Sequence, residues 1–199
     1  MPRHTAACLL LLTIVSACRE TIEQVQTNYS YVDVAADTSA LPMLYAVSDE
    51  EYLQYGAAVS YITAEGDTVI PFGQYAYYGT DSFVHVAHVI LHPDDSTYGR
   101  QVGINRLHDI LFDLVMYDNG PEEAHEDLLR VLRNGKMGYA NDRGQVVIPC
   151  IYAYARWFDQ GRAEVTFDAT QYYDLDHHLR VESDDWFEID RQGERITTP

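Results

Sequence analysis

Basic side chains are scarce in this sequence of 199 residues. Lysine occurs once, at Lys136, and lysine and arginine together number 13 against 31 aspartates and glutamates, for a formal charge of −18. Nucleic-acid binding depends on cationic side chains that replace counterions, and attachment to an anionic membrane surface also needs clustered cations. The composition therefore argues against a nucleic-acid-binding protein and against an electrostatic membrane anchor.

Long apolar runs are lacking as well. The apolar or small run from Ala6 to Val15 has ten residues, whereas a transmembrane helix needs about 20. The run follows Arg3 and has the length of the h-region of a secretory signal. We therefore expect residues 1–17 to be a signal peptide rather than part of the fold.

Cysteine is rare too, with three in the chain, and the position of one of them is informative. Val15-Ser16-Ala17-Cys18 resembles a bacterial lipobox, although ordinary secretion is an alternative because Val15 and Ala17 also suit signal peptidase. The resemblance implies that Cys18 accepts lipid, and two or more acyl chains anchor a protein stably. By resemblance to enteric lipoprotein sorting, in which an aspartate after the cysteine retains the protein, Arg19 favours the outer membrane. We expect a lipid-anchored protein of the bacterial cell envelope.

The rest of the chain divides by composition. Residues 18–47 are polar and small and predict a tether, and residues 48–199 predict a folded domain. Ser48 and Glu51 form a capping-box pattern ahead of Gly56, which predicts a short helix. The remaining cysteine, Cys150, lies in an apolar run and is expected to be a buried, inert thiol rather than a nucleophile.

Two stretches of the domain share one pattern. Ile70-Pro71 recurs 78 residues later as Ile148-Pro149, and a glycine precedes each pair by four residues, at Gly66 and Gly144. Glycine permits the turn of a hairpin, and proline, which lacks an N–H, marks a strand end or edge. Weaker copies place Gly103 at the Gly138 position and Gly193 at the Gly144 position. The units therefore start near residues 60, 103, 138 and 187.

The clearest copy, "NGKMGYANDRGQVVIPCIYAYARWFDQGRAEV", resembles the bacterial WG repeat family, with Met137-Gly138 where the Trp-Gly pair would stand. "TVIPFGQYAYYGTDSF" and "LVMYDNGPEEAHEDLLRVLRNGKMGYA" are similar to stretches common in its members, and the resemblance covers residues 52–196. It implies tandem β-units, often exported, that act as interaction modules without an established catalytic chemistry.

The predicted fold is therefore all-β, with tandem antiparallel β-hairpins of the WG type packed into a compact array and few short helices. A phosphate-binding loop at Gly135-Lys136 is disfavoured because the upstream glycine and the following Ser/Thr are missing. The structural positions of the repeat are expected at Gly66, Ile70, Pro71, Gly103, Gly138, Tyr139, Gly144, Ile148, Pro149 and Gly193.

Three groups of side chains offer metal or acid–base chemistry. In "HVAHVILH", a helix would place the three histidines on one face as a zinc triad, whereas a strand would align only His88 and His92. An acidic stretch could bind a divalent cation or form a solvated loop, and a charged turn that opens a short helical turn carries candidate carboxylates of a hydrolase. The histidines are His85, His88 and His92. The acidic stretch holds Asp174, Asp176, His177, His178, Asp184 and Asp185. The charged turn holds Glu122, Glu123, Glu126 and Asp127.

Lipid attachment at Cys18 is the one chemical role that the sequence assigns, and no catalytic residue, metal or cofactor is predicted. The leading hypothesis is a non-enzymatic module that binds a protein or glycan of the envelope, with its many tyrosines as contacts. The alternative is a metal-dependent envelope hydrolase that uses His88, His92 and nearby carboxylates. That alternative requires a concave pocket where histidines and carboxylates converge.

Overall fold

The computed structural model of the chain describes residues 29–34, 41–91, 99–117 and 120–197. Strands and turns account for the ordered elements of these residues, and no helix occurs among them, which confirms the predicted all-β class. The strands are β1 (Leu44–Val47), β2 (Ala58–Ile62), β3 (Thr68–Tyr77), β4 (Ser82–Phe83), β5 (Ala87–Leu91), β6 (Gln101–Ile104), β7 (Ile110–Leu114), β8 (Met116–Tyr117), β9 (Gly120–Pro121), β10 (Leu129–Arg133), β11 (Lys136–Ala140), β12 (Val146–Tyr152), β13 (Tyr154–Ala155), β14 (Arg162–Thr166), β15 (Thr170–Tyr173), β16 (Leu179–Glu182) and β17 (Phe187–Asp190).

Most strands pair with their neighbours in sequence. A ten-stranded sheet has the order β12-β11-β10-β7-β6-β5-β3-β2-β1-β4, and a three-stranded sheet has the order β13-β14-β17. Two two-stranded sheets, β15-β16 and β8-β9, complete the fold. All of these pairings are antiparallel. The prediction of tandem antiparallel hairpins in a compact array is therefore confirmed.

The strands form successive three-stranded units. The units are β2-β3-β5, β6-β7-β10 and β11-β12-β14, in which β13 continues β12. The third strand of each unit also pairs with the first strand of the next unit, so no unit has to leave that edge open. The connecting pairs are Val89 with Val102, Val131 with Gly138, and Val165 with Phe187.

The valine that the third strand contributes to each of those pairs occupies the same position in every unit and is fully buried. Val89, Val131 and Val165 are all 0% exposed. Each belongs to a different one of three apolar clusters. The core is therefore a row of small cores, one associated with each third strand, as expected when repeated hairpins bury their apolar faces against neighbours.

The first two strands of each unit are joined by one kind of turn. In the five-residue turn at 141–145, the N–H of Asn141 donates to the carbonyl of Gln145 and the N–H of Gly144 donates to the carbonyl of Asn141. Turns 63–67 and 105–109 have the same two hydrogen bonds. The fourth residue has a positive φ in each, 94° at Gly66, 69° at His108 and 76° at Gly144. This left-handed position explains glycine at two of the three sites.

Proline does not end the strand in either copy of the Ile-Pro pair, but Pro149 lies in an edge strand, the other place expected for a proline, because β12 ends the order of the ten-stranded sheet. β3 continues through Pro71 to Tyr77, and β12 continues through Pro149 to Tyr152. Both ladders shift register next to these prolines, which lie in β-bulges. A bulged residue is left unpaired, so a proline there removes no ladder hydrogen bond.

The bulge of β12 lies directly over Gly138. A Cβ on Gly138 would come within 2.5 Å of the Ile148 carbonyl oxygen and 2.7 Å of the Cys150 nitrogen. Glycine is therefore required at this position by a close approach of backbone to backbone rather than by its φ angle.

Gly103 is one residue away from its expected place. The turn at 105–109 aligns Val102, not Gly103, with Gly138, because the pair Gly103–Phe112 corresponds to the pair Tyr139–Ile148. The ring of Phe112 fills the space over Gly103, where an added Cβ would lie 2.3 Å from the ring. The aromatic ring of this residue pair is therefore on the second strand in the second unit, at Phe112, and on the first strand in the third unit, at Tyr139.

Residues 60–90 and 134–165 share a buried aromatic pair. Tyr61 and Phe83 meet edge to face with ring centroids 5.1 Å apart, and Tyr139 and Phe158 meet in the same way at 4.8 Å. The hydroxyl of Tyr61 donates to the Thr80 carbonyl at 3.0 Å. The hydroxyl of Tyr139 donates likewise to the Arg156 carbonyl at 2.5 Å. The two stretches therefore have the same internal packing.

Consecutive units also contact each other through their turns. The ring of His108 in the second unit lies 3.2 Å from the Val69 carbonyl oxygen of the first. At Gly144 in the third unit, a Cβ would lie 2.7 Å from Leu111 of the second, and at Gly193 it would lie 3.2 Å from Ile148 of the third. The left-handed turn residue of each unit is therefore placed against the second strand of the unit before it.

The range expected as a polar tether, 18–47, includes residues that belong to the fold. β1 pairs with β2 and supplies the first unit with a neighbouring strand, with Val47 opposite Ser60. Upstream, the Tyr31 hydroxyl donates to Asp113 at 2.6 Å, and the Val32 N–H donates to the Ile110 carbonyl at 3.0 Å. The hydrogen bonds of this polar segment go to a distant strand, which composition alone does not indicate.

The two short helices that the sequence predicts are absent from the described residues. Between Ser48 and Gly56 the chain forms bends and a turn, and the Ser48 hydroxyl accepts from the Glu50 N–H while donating to the Ala58 carbonyl. Beyond Pro121, a tight turn with positive φ at Glu126 and Asp127 takes the place of the helical turn. Ser and Asp side chains bond to nearby backbone groups in turns as readily as at helix caps.

Candidate functional site

A pocket of about 490 Å³ opens where the three units meet. The first unit contributes Thr80 and His88, the second contributes Phe112, and the third contributes the turn residues Asn141 and Asp142. The size is within the range of small-molecule sites in proteins. The remaining lining residues are Tyr55, Gly79, Val86, Pro121, Glu122, Glu123, Ala124 and Leu129.

His88 lies in the wall of this pocket. It is in β5, on the face opposite the buried Ala87 and Val89, and its backbone N–H donates to the Thr80 hydroxyl at 2.9 Å. The half-buried ring makes no hydrogen bond with the part of the chain that the structure describes. Burial lowers the pKa of His88 to about 4, so the ring is neutral near pH 7. A neutral imidazole has one donor and one acceptor to offer a ligand.

The low pKa of His88 predicts a pH dependence of stability. Between the unfolded pKa of about 6.5 and the folded value of about 4, only the unfolded chain binds the proton. The contribution of the neutral His88 ring to the free energy of unfolding is therefore fully present above pH 6.5 and is lost as the pH falls toward 4. Because the ring keeps some contact with solvent, we expect the free energy of unfolding to fall between pH 7 and 5 by only about 1 kcal/mol more in wild type than in His88→Gln. Urea unfolding of both proteins at both pH values measures this difference. Equal losses in wild type and His88→Gln would show that the folded protein binds a proton at His88 at pH 5 as readily as the unfolded chain does.

A buried ion pair lies beside the pocket. Arg130 donates from Nε to Glu122 Oε1 at 2.8 Å, from Nη2 to Glu122 Oε2 at 2.5 Å, and from Nη1 to the Ala155 carbonyl at 2.8 Å. Both residues are 5% exposed. Burial alone would lower the pKa of Arg130, but the hydrogen bonds and charge of Glu122 outweigh it and raise that pKa. Arg130 thereby links the second unit to the third.

The other carboxylates near the pocket differ in their partners. Glu123 and Asp142 line it, are exposed, and form no hydrogen bond or ion pair with any described residue. Glu126 instead accepts from the Gly161 N–H, at 3.0 and 3.1 Å, and Asp127 lies in the exposed turn. Of the four carboxylates expected from the charged turn, only Glu122 and Glu123 reach the pocket.

Comparison with protein-family models, with curated proteins and with solved structures finds no match.

The acidic stretch forms a hairpin turn. Asp174, Asp176 and His178 have potential metal-ligand atoms within 4.8 Å of one another, and the described residues contain no other such group. However, one Asp174 oxygen accepts from the backbone N–H groups of residues 176 and 178, and the other accepts from Arg180 at 2.7 Å. These hydrogen bonds lower the pKa of Asp174.

The same arrangement occurs in turns without an acidic cluster. Asn141 accepts from the N–H groups of Arg143 and Gln145, as Asp174 does from those of Asp176 and His178. The turn at 174–178 also has a left-handed fourth residue, His177, with φ of 60°. Turn formation therefore accounts for the Asp174 cluster, and Asp184 and Asp185 lie beyond it as exposed residues.

The structure separates the remaining histidines. His85 precedes β5 instead of lying in it, whereas His92 falls outside the described residues, as does Cys18. No three-residue cluster of metal-ligand atoms in the described part of the chain includes His88. No helix among the described residues has the length and apolar character needed to cross a membrane.

Cys150 is half-buried, with its Sγ 3.9 Å from the Val131 carbonyl oxygen. Burial raises the pKa of this thiol to about 11. The thiolate is the reactive form, so this environment suits the inert thiol that the sequence predicts.

A row of rings lies along the junction of the third unit and β17. Trp157 stacks on His125 with centroids 5.0 Å apart, and Tyr154 meets Trp186 edge to face at 6.2 Å. Arg130 joins the two pairs, 5.5 Å from the Trp157 ring and 5.8 Å from the Tyr154 ring. We call His125, Tyr154, Trp157 and Trp186 the aromatic row. Trp157 is 42% exposed.

Sequence reasoning did not identify the aromatic row or Arg130. The one signal was a charged residue, Arg130, within the apolar strand Leu129–Arg133, since an arginine at a buried strand position needs a buried partner. Tyr55 and Asp142 had no distinguishing signal, because only the contact between units brings them together.

Proposed function

We propose that this protein is a bacterial envelope lipoprotein whose WG-like β-repeat array binds a partner protein through the aromatic row. The aromatic row is the observation that carries the proposal. Trp, Tyr and Arg are the residues that most often dominate the energy of protein interfaces, and the row combines two tryptophans and a tyrosine with the exposed Arg156. Arg156 lies 4.9 Å from the Trp186 ring.

The rings are held in place before any partner binds. The buried pair of Arg130 and Glu122 fixes the guanidinium between Tyr154 and Trp157, and Arg156 is paired with Glu164 at 3.1 Å. A preorganised surface loses less side-chain entropy on binding. A binding surface of this kind needs no catalytic residue, cofactor or metal.

The anchor is the second part of the proposal. Acylation of Cys18 would tether the domain to a membrane, with the outer membrane favoured by Arg19, and the domain would face the periplasm or the cell surface. Metabolic labelling with a fatty-acid analogue tests this. We expect label in the wild type and none in Cys18→Ala, and equal label in both would remove the anchor.

Site-specific photocrosslinking in intact cells tests the binding surface. A photoreactive amino acid is placed at Trp157, at Trp186 or, as a control, at Tyr52, which is 73% exposed and lies in the segment between β1 and β2. We expect one discrete protease-sensitive adduct from positions 157 and 186 and none from 52. No adduct from the row, or the same adducts from all three positions, would refute the interface. A periodate-sensitive, protease-resistant adduct would replace the protein partner with a glycan.

The metal-dependent hydrolase is less well supported. His88 and two unpaired carboxylates do share a pocket, but the ligand atoms that come together within 4.8 Å in the described residues belong to the turn at Asp174, Asp176 and His178. A hydrolytic metal centre needs about three protein ligands on one ion.

A further inference from the structure

The pocket between the three units is a separate site from the aromatic row and has polar groups without partners. The ring of His88 and the carboxylates of Glu123 and Asp142 line it and make no hydrogen bond to the described residues. Each comes from a different part of the chain: β5, the segment after β9, and the turn at 141–145. The array thus brings together three groups that can bind a ligand and that are far apart in sequence.

The charge of the lining excludes one class of ligand. Its cationic neighbour, Arg130, is already neutralised by Glu122, and no lysine or arginine is among the lining residues that belong to the described part of the chain. Glu123 and Asp142 remain as unpaired carboxylates on a protein with a formal charge of −18. An anionic ligand would therefore be repelled, and the ligand must be neutral or cationic.

The spacing of the polar groups favours a neutral ligand over a cationic one. Carboxylates that bind an ion or a single ammonium group converge on one point, but these groups do not form a three-member cluster within 4.8 Å. Acceptors and a neutral imidazole that are spread over different walls suit a ligand with several hydroxyl groups around a ring. A hydroxyl group both donates and accepts, so it can bond to the carboxylates and to either nitrogen of His88.

One wall provides an aromatic surface. Tyr55 is 55% exposed and packs against Tyr78 with ring centroids 5.2 Å apart and against Tyr77 at 6.0 Å. These contacts fix the position of the Tyr55 ring in the lining of the pocket. A rigid ring of this kind can cover the C–H face of a sugar while its hydroxyls reach polar groups at the edges.

We propose that this pocket binds a neutral sugar ring, with Tyr55 against its apolar face and with Asp142, Glu123 and His88 as hydrogen-bond partners of its hydroxyls. The inference concerns a different surface from the proposed protein interface and does not depend on Cys18. Loss of either activity can therefore be observed while the other remains.

The test is an NMR titration of the full-length chain in detergent micelles. The probes are the neutral disaccharides maltose, cellobiose and chitobiose, with spermidine as a cationic probe and citrate as an anionic one. The His88 ring resonance, assigned by its loss in His88→Gln, reports on the pocket. We expect it to shift with at least one disaccharide and not with spermidine or citrate.

Variants locate the binding in the pocket. Tyr55→Ala is expected to weaken the disaccharide about tenfold, and Asp142→Asn about fivefold. Tyr52→Ala, a matched change of an exposed tyrosine outside the pocket, is expected to leave the affinity unchanged. The proposal is overturned if no disaccharide shifts His88, if spermidine or citrate produces the shift instead, or if Tyr55→Ala and Asp142→Asn bind as tightly as the wild type.

Discussion

Replacing Glu122 by alanine is expected to lower the free energy of unfolding by about 3–5 kcal/mol, because Arg130 is then left buried without a counter-charge. The Arg130 and Glu122 side chains are only 5% and 3% exposed, and Tyr154 and Trp157 lie beside the guanidinium. The other described partners of Arg130, the Ala155 carbonyl and the Tyr154 side chain, carry no charge to replace that of Glu122. Urea unfolding at pH 7 measures the loss.

Two further variants separate the ion pair from general effects of mutation. The pair Arg162–Glu188 has an N–O distance of 3.1 Å but is 55% and 42% exposed, so Glu188→Ala should cost less than about 1 kcal/mol. The double variant Glu122→Leu with Arg130→Met removes both charges and should recover most of the lost stability. A loss in Glu122→Ala no larger than in Glu188→Ala would show that the pair is not buried in solution.

Gly138→Ala is the second large effect that we expect, a loss of about 3 kcal/mol from overpacking. Its Cβ would lie 2.5 Å from the Ile148 oxygen and 2.7 Å from the Cys150 nitrogen. Both atoms belong to the backbone of β12, so no side-chain rotation relieves the contact. The bulge at Pro149 would have to flatten, which also shifts the register of the β11–β12 pair.

Gly120→Ala is the matched control for that variant. The nearest atom to a Cβ at Gly120 is the Tyr55 hydroxyl oxygen at 3.9 Å, and the residue has no positive φ. We expect a change within about 0.5 kcal/mol. Similar unfolding free energies for the two alanine variants would contradict the close approach of β12 to β11.

The sequence predicts the fold class because the signal is local. β-Branched and aromatic residues alternate with turn residues, and the spacing of Gly66 from Ile70 and of Gly144 from Ile148 marks two related hairpins. The third strand of each unit carries no such mark. β5, β10 and β14 share one buried valine, and their partners lie 7 to 22 residues further along the chain.

The sequence leaves a metal site and a solvated loop open at Asp174, and local hydrogen bonds decide for the loop. Asp174 looks like a metal ligand in sequence because it is followed by Asp176 and two histidines, but its oxygens complete a turn that Asn141 completes elsewhere. Gly103 aligns with Tyr139 and not with Gly138, and Phe112 takes the volume that the tyrosine takes in the third unit. The solvated-loop alternative therefore holds for Asp174, whereas the position predicted for Gly103 is wrong by one residue because a glycine in the sequence does not show which strand carries the opposing ring.

The pairing of each unit's third strand with the next unit's first strand underlies the core, the pocket and the aromatic row. Backbone nuclear Overhauser contacts in isotope-labelled protein measure it directly. We expect contacts of Val89 with Val102, Val131 with Gly138, and Val165 with Phe187. Absence of these contacts, or contacts of the valines with other strands, would contradict the array of stacked units.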